Sequence, residues 1–194
     1  MPACSTYLQD KLNDLANGVA AYALPSPYLA LFYASAGQSP RSTAVTVGQT
    51  TVPATLNGHM YKCTTAGTTG SSEPTWPTGS GSTVTDGTAV WTEMTPDFLG
   101  NTSSLTSVEA NYTGYARVAI SADMAASANG SASNSTAIAF ASATGGNNLI
   151  AAAATYDAST AGNELRYAML TALLAVGTGV VPQVPVGDFV TSVS

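Results

Sequence analysis

The residues best suited to holding a ligand are three aromatics in the middle of the chain, Tyr61, Trp76 and Trp91. Flat aromatic faces bury the apolar side of a pyranose ring, so these side chains would suit a sugar platform or a partner contact. The competing reading makes them the core of a small module. Trp91, in the middle of a strand pattern, suits that core, whereas Trp76, in a loop between Pro74 and Pro77, suits the surface. His59 is the sole histidine. A catalytic base needs an orienting carboxylate and a nucleophile, and no nucleophile motif accompanies it, so it reads as a surface turn residue beside Gly58. Asp10, Asp14 and Glu109 have no spacing that makes a metal site, and no calcium loop of alternating Asp and Asn occurs. Nothing nominates the two positioned carboxylates of a glycosidase. The sequence therefore predicts no catalytic residue, no cofactor and no metal. Asp157 and Asp188 read as turn residues whose carboxylates accept backbone N–H bonds. Arg117 and Arg166 each sit within a strand pattern, in a chain with only five basic residues. Both are candidates for an intersubunit contact or for a bridge to Glu109 or Glu164. For Arg166, with Glu164 close by, a solvated strand face is the plainer alternative.

The elements that must position these residues are mostly strands. Residues 5–17 are the exception. Ser5 can cap a helix there, Leu8, Leu12, Leu15 and Val19 share one face, and Asn17-Gly18 is a stop signal. Pro25 and Pro27 then lead into Tyr28 to Ala34, apolar on both faces and so expected in the centre of a sheet covered on both sides. From Thr43 to Met94 the character changes to Thr, Gly, Ser and Pro, with short strands at 43–47, 58–64 and 89–93 and a turn at Asp86-Gly87. This span, 43–94, reads as a small all-β insertion in a main domain made of residues 1–42 and 95–194. That domain continues with strands at 115–120, 136–141, 149–156, 165–171 and 184–193. A hairpin turn is expected at 157–163, although the alanine-rich strand at 149–155 also has the composition of a helix. Evenly spaced strands joined by polar turns predict a mainly β fold, a β-sandwich or jelly-roll-like domain with a short N-terminal helix.

Composition narrows the function. Only 8% of the 194 residues are charged, against roughly 25% in an ordinary soluble protein. Ser, Thr, Ala, Gly and Asn take their place, and a surface with few ions to desolvate suits packing against neighbours. The formal net charge is −6 and the basic residues form no patch, which argues against nucleic-acid binding. No stretch of ~18 apolar residues is present to span a membrane, and Asp10 and Asp14 interrupt any signal-peptide pattern. Cys4 and Cys63 are too few for a disulfide framework and too far apart for a metal motif. They read as small apolar residues, and would pair only if the insertion folded back on the N-terminus.

The order of segments resembles a family of small tailed-phage virion proteins. The opening helix followed by Tyr28-Leu29-Ala30-Leu31-Phe32 carries the first part of the likeness, and Gly114-Tyr115-Ala116-Arg117-Val118 the second. Ser133-Asn134-Ser135 with Ile138 to Gly146, then Tyr156-Asp157-Ala158 with Gly162, Leu165, Tyr167 and Leu170, and finally 179–193 complete it. The 43–94 segment is similar in pattern to small chitin- or cellulose-binding modules. It departs from them where Val47-Gly48-Gln49 replaces the usual upstream aromatic and Gly-Asp turn. The resemblance implies a non-enzymatic bacteriophage virion structural protein, assembled in the host cytoplasm. Its first implied role is capsid decoration: a cement protein, a homotrimer, that binds the major capsid protein or other virion subunits. The alternative is a tail-fibre or appendage subunit whose insertion meets a host glycan.

Overall fold

The computed structural model describes residues 3–19, 25–100 and 105–192. The chain opens with β1 (Ala3–Cys4), α1 (Thr6–Ala16) and β2 (Tyr28–Tyr33). Six short strands follow: β3 (Ala44–Val45), β4 (Thr50–Thr51), β5 (Tyr61–Thr65), β6 (Gly67–Thr68), β7 (Thr83–Asp86) and β8 (Ala89–Glu93). A five-residue helix, α2 (Thr95–Leu99), leads to β9 (Val118–Ala119), β10 (Ser131–Ser133) and β11 (Ile138–Ala139). The long hairpin β12 (Asn148–Tyr156) and β13 (Glu164–Val176) precedes β14 (Gln183–Val184) and β15 (Val190–Ser192). The architecture is mainly β and sandwich-like, as the strand patterns predict.

The principal sheet is antiparallel, in the order β1-β13-β12-β2-β9. β2 lies inside it, and its four interior residues are buried. Alternation sends Ala30 and Phe32 to one face and Leu29 and Leu31 to the other, each into its own core. On the first face Phe32 meets Phe98 of α2 edge-on at 5.4 Å, and Phe98 stacks on Tyr167 at 4.7 Å. On the second, Tyr112, Ile120, Ile138 and Phe140 cover the sheet from loops and from the β11–β14 ladder. The alanine-rich segment is a strand, β12, because it is paired on both edges and buried for most of its length.

Helix α1 begins where its cap predicts. The Ser5 hydroxyl oxygen accepts the Leu8 N–H at 3.2 Å and its O–H donates to the Glu164 carbonyl. The Ser5 N–H donates to Leu165 O at 3.0 Å, so the helix is pinned by its first turn to β13. Of the expected apolar face only Leu8 is buried. Leu15 and Val19 are 50% and 74% exposed, since the later turns leave the sheet.

Several expected strands are cut short, 43–47 to Ala44–Val45 and 136–141 to Ile138–Ala139 among them. Of 115–120 only Val118–Ala119 pairs with the sheet, because Tyr115 and Arg117 are taken into a polar cluster described below. The span 184–193 breaks into β14 and β15 around Asn134, whose backbone and side-chain oxygens accept the Gly187 and Phe189 N–H groups at 3.0 and 2.9 Å.

Within 43–94, a four-stranded sheet, β4-β5-β8-β7, sits beside a β3–β6 ladder. Its own core is Val45, Tyr61, Cys63, Ala89 and Trp91. Val52, Met60 and Met94 instead join Phe32 and Phe98 in the core under the principal sheet. The β6 region crosses the β7–β8 turn so closely that a Cβ on Gly87 would stand 2.2 Å from Thr68 O, and Gly87 has φ +67°, which glycine alone adopts at little cost. Cys4 and Cys63 are unpaired. Among the described residues no helix is long and apolar enough to cross a membrane.

Candidate functional site

β5 and β8 place Tyr61 and Trp91 on one face of the small sheet, and the 73–77 loop lays Trp76 over them. The Tyr61 and Trp76 ring centroids are 4.5 Å apart, and those of Trp76 and Trp91 are 6.2 Å apart and edge-on. The Tyr61 hydroxyl donates to Pro77 O at 2.9 Å and accepts from Asn57 Nδ2 at 2.7 Å, and burial pushes its phenol up. Tyr61 and Trp91 have no exposed surface, so neither ring offers a face to a sugar or partner. This corrects the three-residue platform: Tyr61 and Trp91 are core, and only Trp76, half-buried, reaches the surface. Its indole donates to Glu73 Oε1 at 2.7 Å, the oxygen that also takes the Ala54 N–H. Burial would raise the Glu73 carboxyl. The hydrogen bonds from Ala54, Trp76 and Ser39 outweigh that and hold it below the usual carboxylate range.

His59 is not a free turn residue. Its Nδ1 lies 2.8 Å from Glu93 Oε1. The buried Glu93 also receives the Thr95 hydroxyl at 2.6 Å and the Gly81 and Thr95 N–H groups at 3.0 Å each. The Thr95 hydroxyl points to the carboxylate and not to the imidazole, so the cluster ties β8, the 79–81 turn and α2 together without presenting a nucleophile to the base. Arg41 performs a similar task. It grips buried Asp86 with two hydrogen bonds, 2.9 and 2.7 Å, and donates to Ser72 O at 2.7 Å. Sequence reading passed over this pair because its members are 45 positions apart, with no local signal.

Arg117 is the centre of the other polar cluster. Its guanidinium binds both Glu109 oxygens at 2.8 Å, donates to Ala158 O and Ala161 O, and lies 3.7 Å from the Tyr156 ring centroid. Tyr115 donates to Glu109 Oε1 at 2.8 Å and accepts the Leu31 N–H, closing the network. Burial opposes the Arg117 charge, but the Glu109 hydrogen bonds and charge outweigh it and raise its pKa. The bridge to Glu109 is the one foreseen. The Arg117 fork is spent on partners inside the chain.

Arg166 and Glu164 do not pair with each other among the described residues, and a bulge explains it. Opposite Thr155 and Tyr156, β13 has one residue too many, so Arg166 and Glu164 point to opposite faces. Glu164 is fully buried with neither oxygen hydrogen-bonded, and burial pushes its carboxyl up to about 9. Arg166 lines a groove of about 550 Å³ between β13 and the 183–191 segment, with its Nε buried and unpartnered. Asp157 behaves as its turn predicts, accepting the Asn163 N–H at 2.6 Å. Among the described residues no group of three His, Cys, Asp or Glu side chains could hold a metal.

A model of the family described as podophage GP4 fiber I protein gp80 matches residues 81–192, more than half of the chain. The match begins inside the 43–94 segment and runs through α2, the Arg117 cluster and the long hairpin. No curated protein matches the chain.

Proposed function

The chain belongs to the podophage GP4 fiber I protein gp80 family and is a phage virion structural protein; from that premise we propose that it is a non-enzymatic tail-fibre or appendage subunit. The observation that carries this reading is the fibre description of the family, matched over residues 81–192, which include the Arg117–Glu109 pair and the long β12–β13 hairpin. It favours the appendage over capsid decoration, which needs a surface for the major capsid protein. We assign the subunit to a homo-oligomer, since a low-charge, hydroxyl-rich chain can bury surface against its own copies with few ions to desolvate. Any host-glycan contact by the 43–94 segment falls to the exposed edge of Trp76, because Tyr61 and Trp91 are enclosed. Immunogold labelling of purified particles, with the copy number measured by quantitative mass spectrometry, tests the location. Gold at the tail and a copy number in low multiples of the tail symmetry are expected. Gold across the head, with hundreds of copies, would restore the cement reading, and particles without the protein would end both.

A further inference from the structure

The principal sheet is unfinished along β13. β1 covers its outer edge only at Arg166 and Tyr167, and beyond them no strand pairs with that edge among the described residues. An open edge carries unpaired N–H and C=O groups that template another strand. Over the face of the sheet at this strand runs the groove, floored by Leu29 and residues 153–155 and walled by β13 and residues 183–191, with Met169, Leu170, Val184 and Phe189 supplying apolar lining. Val186 and Val190, 60% and 46% exposed, extend the apolar surface along the second wall.

The two walls carry opposite charges that no group of the chain neutralises. Arg166 stands on the first and Asp188 on the second, and among the described residues neither side chain has an ion pair or hydrogen bond. Of the other four basic residues, Arg41, Lys62 and Arg117 are each bound to a carboxylate of the same chain, and Lys11 lies over the Tyr7 ring. A buried donor without an acceptor is costly, and a docking partner that brings a carboxylate relieves it. Asp188 is an exposed carboxylate on the facing wall and can take a cation in return. A copy of this chain brings both, on the same surface.

We propose that this groove receives a second copy of the chain, with Arg166 of one copy paired to Asp188 of the other and the β13 edge covered at the contact. The inference rests on the homo-oligomeric reading above and not on a location in the tail, so a failure of the particle experiment leaves it standing. Sedimentation of the purified full chain over a range of concentrations tests it. The unaltered chain associates as concentration rises. Arg166→Asp and Asp188→Arg each weaken association by roughly tenfold or more, and the two reversals in one chain restore it. Hydrogen exchange supplies a readout that needs no variant: the amides of residues 168–175 become protected as the chain associates. A chain that stays monomeric overturns the proposal, including one that instead binds a different virion subunit through this groove. So does association that folded single reversals leave unchanged, or that the double reversal fails to restore. If the reversals do not fold, exchange at 168–175 that is independent of concentration overturns it.

Discussion

The 43–94 segment and strand β13 treat their charges in opposite ways. In the segment Lys62, Glu73, Asp86 and Glu93 all have hydrogen-bond partners, and three of them take part in ion pairs, His59 closing the one at Glu93. β13 carries Glu164, buried alone, and Arg166, unpaired at a groove. The small sheet is short-stranded and poor in apolar area, so closed polar networks and one aromatic stack define it. The principal sheet has apolar cores on both faces and can carry unmatched groups. The difference separates a segment whose charges are met within the chain from a strand whose charges are not.

The largest expected effect breaks the closed side. Arg41→Met leaves the Asp86 carboxylate buried without its cation and costs about 4 kcal/mol, read as a lower denaturant midpoint. A loss below about 1 kcal/mol would mean that water reaches Asp86 freely. Next comes Glu164→Gln, which sharpens the open side. The Glu164 carboxyl is raised in the folded chain, so its contribution to stability is full below its unfolded pKa near 4.5 and is lost as pH rises through about 9. At pH 7 the glutamine variant should therefore be more stable by about 3 kcal/mol, and the advantage should vanish near pH 4. Equal stability of the two chains across that range would show that Glu164 ionises in place. Trp76→Ala removes the outer ring of the stack and costs about 2 kcal/mol, with Trp76→Phe recovering most of it in thermal melts. The smallest effect is Arg166→Met. Removing the unpartnered Nε should raise monomer stability by about 1 kcal/mol, and a loss would place Arg166 among the closed groups.

Local signals predicted local features well. The Ser5 cap started α1, the Tyr28 to Tyr33 run became an interior strand, and Asp157 turned the long hairpin. Pairings between distant residues were hidden. Nothing near Arg41 announces Asp86, and the fate of Tyr115 depended on Glu109 and Leu31 rather than on its own alternating pattern. Trp91 was legible as core from its mid-strand place. Tyr61 was not, because its hydroxyl is satisfied by Asn57 and Pro77, a turn whose closeness only the fold creates. The partnerless state of Glu164 hangs on a one-residue bulge, and a bulge leaves no mark in hydrophobic periodicity.

Val52, Met60 and Met94 lie in the core beneath the principal sheet, beside Phe32 and Phe98. A contact of that kind is a wedge rather than a tether. For anyone shortening or re-targeting the protein, cutting out 43–94 and bridging the ends would strip the cover from two phenylalanines, and exchanging it would succeed only with a replacement that brings its own three-residue plug. A load applied to the segment would likewise pass into the sheet through packed side chains, without a slack linker to take it up.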